Sequence, residues 1–160
     1  MSPEELLSSG LSKELIVLII SALPIVELRG ALPVAIHLFH FPWYYALPLA
    51  IIGNLVPVPF ILLFLNAVSR LLSKIGTFRR MLNWLFEHTR RRGKLIERYE
   101  RIGLALFVAI PLPVTGAWTG SLAAVLFGIK FKHAFLSIFI GVVIAGIIVT
   151  CLCLLAGLGL

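Results

Sequence analysis

The sequence predicts an all-α integral membrane protein of two inverted-topology repeats, each a re-entrant helical hairpin followed by a transmembrane helix. A basic amphipathic cytoplasmic helix joins the two. Three observations lead there. The 160-residue chain is 60% hydrophobic, with a mean hydropathy of +1.06 and no aspartate, which is more apolar surface than a soluble domain of this size can hide. Its positive charge is concentrated between apolar stretches rather than spread over a surface. Two apolar segments, 22–33 (ALPIVELRGALP) and 109–120 (AIPLPVTGAWTG), are broken by Pro and Gly. Backbone that leaves the helix at membrane depth is tolerated only where protein or a water-filled cavity covers it. Matching interruptions in two halves are the mark of a transporter's binding site.

The acidic N-terminus (MSPEE) lacks the positive charge of a signal peptide, so no cleaved segment is expected. Residues 13–23 would form a helix of about 16 Å, roughly half a hydrocarbon core. A second short helix is expected over 30–39. The turn that follows carries Trp43, Tyr44 and Tyr45, where an interfacial aromatic belt belongs. Residues 46–65 are then long enough to cross. They are kinked and locally polar at Asn54, Pro57 and Pro59.

Residues 70–101 hold ten Lys/Arg against three Glu and read as a cytoplasmic loop obeying the positive-inside rule. Leu72, Ile75, Phe78, Leu82, Leu85 and Phe86 fall near helical spacing there, as in a basic amphipathic helix on the inner leaflet, with breaks at Gly76 and Gly93. Anionic head groups are the expected partners of Arg79 to Arg92. No fold-level motif accompanies the charge, so nucleic acid is not an expected partner.

The second half repeats the order of events. A helix of about 13 Å over 102–110 precedes Pro111 and Pro113. The chain resumes over 115–127, turns at Lys130, Lys132 and His133, and crosses over 134–155. The whole is one membrane domain, 1–160, with repeats at 11–66 and 102–157 and a connector at 67–101. If both broken segments are hairpins, Lys130 and Lys132 fall inside with the basic loop and leave Lys13 as the outside Lys or Arg. If the segments are straightened into ordinary spans, those two lysines fall outside. The charge count favours hairpins entering from opposite faces.

Glu27 and Arg29 are the charges of the expected hydrocarbon region, each costing at least ~2.5 kcal/mol there. Either they serve a substrate or proton cycle, or they pin a hairpin through a mutual or cross-repeat ion pair. Gly30 with Pro24 and Pro33, and Pro111, Pro113, Gly116 and Gly120, suit tight intramembrane turns with positive φ at Gly. A helix starting after each turn offers backbone N–H groups to an anion. Thr115, Trp118 and Thr119 add polar donors at the second hairpin, and Asn54 is expected to face the same cavity. Gly116, Gly120, Ala124 and Gly128 recur every four residues as a close-packing face, with Gly141 and Ala145 as its complement. His37 and His40 could share a helical face, but with no third ligand neither they nor Cys151 and Cys153 suggest a metal. No cofactor is expected. No P-loop, nucleophile elbow or zinc-protease motif occurs, so the chain reads as a non-enzyme.

The pieces ELRGALP at 27–33, Gly53-Asn54 with Pro57, and IPLPVTGAWTG at 110–120 resemble the small multi-drug export protein family of prokaryotic membrane proteins. That family is related in architecture to the DedA (SNARE-associated, VTT) superfamily, with its paired re-entrant loops. Carried over, the first motif falls on Glu27, Arg29, Gly30 and Pro33, and the second on Pro111, Pro113, Gly116, Trp118 and Gly120. The resemblance implies a transporter in a prokaryotic plasma membrane. Its expected action is translocation of an anionic lipid or lipid carrier with proton coupling. Proton-coupled export of small hydrophobic cations and a non-transporting membrane scaffold are the alternatives. A protomer this small suggests a homo-oligomer.

Overall fold

The computed structural model describes residues 12–72, 93–111 and 115–157. The core of the expected amphipathic helix, with Arg79 to Arg92, and Pro113 lie outside these. Every regular element among the described residues is helical: α1 Lys13–Ala22, α2 Glu27–Pro33, α3 Trp43–Leu55, α4 Pro57–Leu72, α5 Gly93–Ala109, α6 Ala117–Leu126 and α7 Phe131–Gly157, with a π-helical turn at Val34–Leu38 following α2.

Each boundary has a local cause. Ser12 caps α1, its hydroxyl accepting from the Leu15 N–H at 3.4 Å. The helix ends at Leu23 because Pro24 disfavours helical backbone before it. The chain re-enters helix at Glu27, which has φ of 51°. The expectation of positive φ at Gly30 is thereby corrected: Gly30 sits inside α2, where a Cβ would collide with the Val26 side chain one turn earlier. Pro33 lies within the continuing helix rather than at a turn, and the chain widens into the π-helical turn after it.

Helix endings are also alike in the two halves. His40, at φ 57°, takes the left-handed position after the π-helical turn, and the Phe41 N–H returns to the Ala35 carbonyl at 2.8 Å. Gly128, at φ 68°, does the same after α6, with the Ile129 N–H on the Ala124 carbonyl at 2.9 Å. These are left-handed C-terminal caps. His40 therefore lies past the helix and does not share a face with His37. Gly128 is exposed and is no part of the small-residue packing face.

Two helical stretches are long and apolar enough to cross a membrane, Trp43–Phe64 and Phe131–Gly157. The first runs through α3 into α4, bridged at Val56, whose N–H reaches the Ile52 carbonyl at 3.0 Å. Trp43, Tyr44 and Tyr45 are exposed at its start, as an interfacial belt requires. In contrast to the short helix expected over 102–110, α5 begins at Gly93. Gly103 alone, with open space around it, is too weak to break it.

Packing is close where glycine allows it. A Cβ at Gly53 would stand 2.7 Å from the Leu18 carbonyl oxygen, so α3 lies directly against α1. Val108 of α5 fits between two glycines: Cβ atoms would approach it to 2.5 Å from Gly120 of α6 and 2.6 Å from Gly141 of α7. Gly141 thus packs on α5 instead of complementing the α6 face. Ile16, Val17, Leu28, Leu32, Val58, Leu62, Ile138 and Val142 fill the centre. The outward faces carry Ile52, Phe60, Phe64, Leu136, Ile147 and Leu152, all exposed, as lipid-facing residues are.

Candidate functional site

The breaks between α1 and α2 and between α5 and α6 meet. Glu27, the first residue of α2, is 6% exposed despite its charge. Its Oε1 accepts the Trp118 backbone N–H at 3.4 Å, in the first turn of α6. A helix N-terminus presents unbonded N–H groups and the positive end of its dipole, and a carboxylate satisfies both. Gly116 makes the approach possible, since a Cβ there would overlap the Glu27 carboxyl group. Its φ of 162° is ordinary extended backbone, so the requirement is for space and not for a left-handed turn.

Arg29 lies two residues along α2, about half a turn on, and crosses the same seam. Its Nη2 donates to the Thr115 carbonyl and, at 3.0 Å, to Thr115 Oγ1. The Thr115 hydroxyl in turn donates to the Ile110 carbonyl at 2.7 Å, tying the two ends of the loop that contains Pro111. Trp118 adds a third link, its indole N–H donating at 3.0 Å to the Ala22 carbonyl at the end of α1. That carbonyl is one of the orphans a helix end leaves. Glu27 and Arg29 therefore each bond to the segment facing them, and segment 115–118 is held at three points against segment 22–29.

Asn54 reaches this seam from α3. It is 3% exposed and lines a cavity of about 10 Å³ together with Glu27, Arg29 and Gly116, roofed by Val108, Val142 and Ala145. Ser21, near by in α1, is satisfied, donating to the Ala50 carbonyl at 2.5 Å.

Of the residues anticipated from sequence, Glu27, Arg29, Asn54, Thr115, Gly116 and Trp118 converge here. Gly30 serves Val26, and Pro33 lies along α2, away from the contacts just described. The Thr119 hydroxyl bonds within its own turn, to the Gly116 carbonyl at 3.4 Å. Gly120 serves Val108. Among the described residues no group of three His, Cys or acidic side chains could hold a metal ion, and Cys151 is exposed where Cys153 is buried, on different faces. Ala22, Val108 and Val142 carried no sequence signal, since one acts through its carbonyl and the others are apolar residues in apolar runs, and Ala145 stood out only as a small residue for packing.

Two helices long and apolar enough to cross a membrane, with a buried, charge-bearing seam between broken helices, are the features of a helical membrane protein. The chain belongs to the family whose model is described as "Putative small multi-drug export protein", which matches residues 27–148 and so begins at Glu27 itself. No curated protein and no solved structure matches the chain.

Proposed function

We propose that this protein is a proton-coupled exporter of small hydrophobic cations, with Glu27 alternately holding a proton and the cationic substrate. One observation carries the reading: the Glu27 carboxylate already occupies the N-terminus of α6. An anionic substrate bound there would have to displace it, whereas a proton or a cation neutralises it in place. The family description points the same way. Translocation of an anionic lipid, the reading drawn from the DedA resemblance, ranks second. Its support is Arg29, which is partly exposed beside the seam, though its guanidinium is engaged by Thr115.

Packing supports two inverted repeats at 11–66 and 102–157. Within each half the first helix lies on that half's own long helix, α1 on α3 and α5 on α7. The second short helix also reaches the other half, α2 touching α7 as well as α1 and α3, and α6 touching α4 as well as α5 and α7. Hairpins entering from opposite faces would put the basic connector and Lys130 on the cytoplasmic side of a prokaryotic plasma membrane. A cavity of about 10 Å³ is far below the roughly 300 Å³ that a small ligand needs. The pathway therefore opens when segment 115–118 separates from 22–29, and a second protomer supplies its remaining wall.

Proteoliposomes loaded with a quaternary ammonium dye or a labelled polyprenyl phosphate, under an imposed pH gradient, test this. Dye movement lost in Glu27→Gln is the expected result. Lipid movement lost in Arg29→Ala with dye unmoved would reverse the order of the two readings. Movement of neither, with a phenotype that depends on Arg79 to Arg92, would make the protein a scaffold.

A further inference from the structure

Asn54, beside Glu27, poses a bonding problem that the described protein groups leave open. The Asn54 Oδ1 is buried and meets no donor among the described residues. It shares a small cavity with the Glu27 carboxylate, and both are acceptors, so neither satisfies the other. A buried acceptor without a donor costs about 1–3 kcal/mol. What resolves this must present a hydrogen to Asn54 Oδ1 beside the Glu27 carboxylate and fit about 10 Å³, the room that one water takes. A bare metal cation suits the place poorly. The two side chains supply at most three oxygens, and Arg29 brings a positive charge to the same wall.

We propose that Asn54 and Glu27 hold a single water between them, and that this water delivers the proton Glu27 exchanges. The inference rests on the proton-coupled reading above and assigns its coupling site. With Glu27 ionised, the water donates one hydrogen to the carboxylate and one to Asn54 Oδ1. A hydronium in the same position passes one proton to Glu27 Oε. One O–H bond breaks, one forms, and a neutral water and a carboxylic acid remain. The acid O–H then donates to the water, which keeps its bond to Asn54. The amide is thus a fixed acceptor that orients the water in both states.

The other ionisable groups on the elements packed around Glu27 stand away from the cavity, whose charged lining is Glu27 and Arg29. Lys13 and Glu14 are at the far start of α1, and Tyr44 and Tyr45 begin α3. His37 is exposed. Lys132 and His133 are at the start of α7, with Cys151 and Cys153 near its end. Helix α6 carries no ionisable side chain.

The test uses the full chain in lipid nanodiscs and infrared difference spectra between protonated and ionised Glu27, recorded in ordinary water and in oxygen-18 water. Wild type should show an isotope-sensitive O–H band that disappears in both Glu27→Gln and Asn54→Leu. Absence of the band in wild type, or its persistence in Asn54→Leu, overturns the proposal. In proteoliposomes the pH-driven dye export of Asn54→Leu should fall by up to roughly tenfold, the loss of one water-to-amide hydrogen bond. Asn54→Ser, which keeps an oxygen, should recover part of it. Export by Asn54→Leu at the wild-type rate, or export driven by a sodium gradient at equal pH, sinks the water site while leaving Glu27-dependent export standing. Failure of wild type to move dye sinks the export reading, and the spectra still decide the water.

Discussion

Gly116 has no side chain because the Glu27 carboxyl group occupies the volume where a Cβ would stand. The two residues are 89 positions apart, yet they form one unit: a helix N-terminus and the anion that caps it. Gly116→Ala should move the carboxylate off α6, costing about 1–3 kcal/mol as an overpacked core does. Thermal unfolding in detergent measures this. In the double variant with Glu27→Ala the penalty should largely vanish, because the colliding group is gone. Equal penalties in both backgrounds would show that Gly116 is needed for its backbone alone.

Arg29→Lys should be nearly as damaging to the seam as Arg29→Ala. A lysine ammonium keeps the charge, but its stem is one bond shorter and stops short of Nη2, the single nitrogen that reaches both the carbonyl and the hydroxyl of Thr115. Thr115→Val removes the hydroxyl's bonds to Arg29 and to the Ile110 carbonyl while sparing the Thr115 carbonyl contact, and should cost about 1–2 kcal/mol. A lysine variant as stable as wild type would reduce Arg29 to a point charge.

Trp118→Phe keeps the apolar body of the side chain and deletes the donor to the Ala22 carbonyl. A loss of about 1 kcal/mol is expected, with faster amide exchange confined to residues 20–23. Exchange that rises across the whole chain instead would indicate a packing role.

Sidedness is open to direct measurement. In a background with Cys151 and Cys153 replaced by Ala, a cysteine at Ser12 should react with an impermeant thiol reagent from one face only. One at Lys130 should react from the opposite face. Labelling at Lys130 from the face opposite a cysteine placed at Arg90 in the basic connector would remove the opposed hairpins, since single straight spans also put Ser12 and Lys130 on different faces.

Much of the seam was legible in the sequence because membranes make certain residues conspicuous. A carboxylate and a guanidinium in an apolar run must be answered by something, and Pro with Gly must interrupt a helix. These rules picked out Glu27, Arg29, Thr115 and Trp118 without any contact being known. What could not be read was which atom answers which. Gly30 and Gly116 looked like turn glycines because glycine's tolerance of positive φ is its commonest use. In fact positive φ fell to Glu27 and His40, and both glycines are needed for clearance, a property of whatever lies opposite. The regular four-residue spacing of small residues likewise suggested one packing face running through Gly128. Local capping won there, since a helix that stops needs a left-handed residue more than a neighbour does.

The placement of glycine also sorts this protein mechanically. Val108, notched between Gly120 and Gly141, interlocks α5, α6 and α7 by shape, as Gly53 against Leu18 interlocks α1 and α3. Shape-locked joints resist sliding in every direction until side chains are rebuilt. Across the junction of the two broken segments the links are three hydrogen-bonding side chains, which can let go and re-form without any repacking. That seam is thus softer than the glycine notches, and under the proposed coupling Glu27 is the group placed to release it.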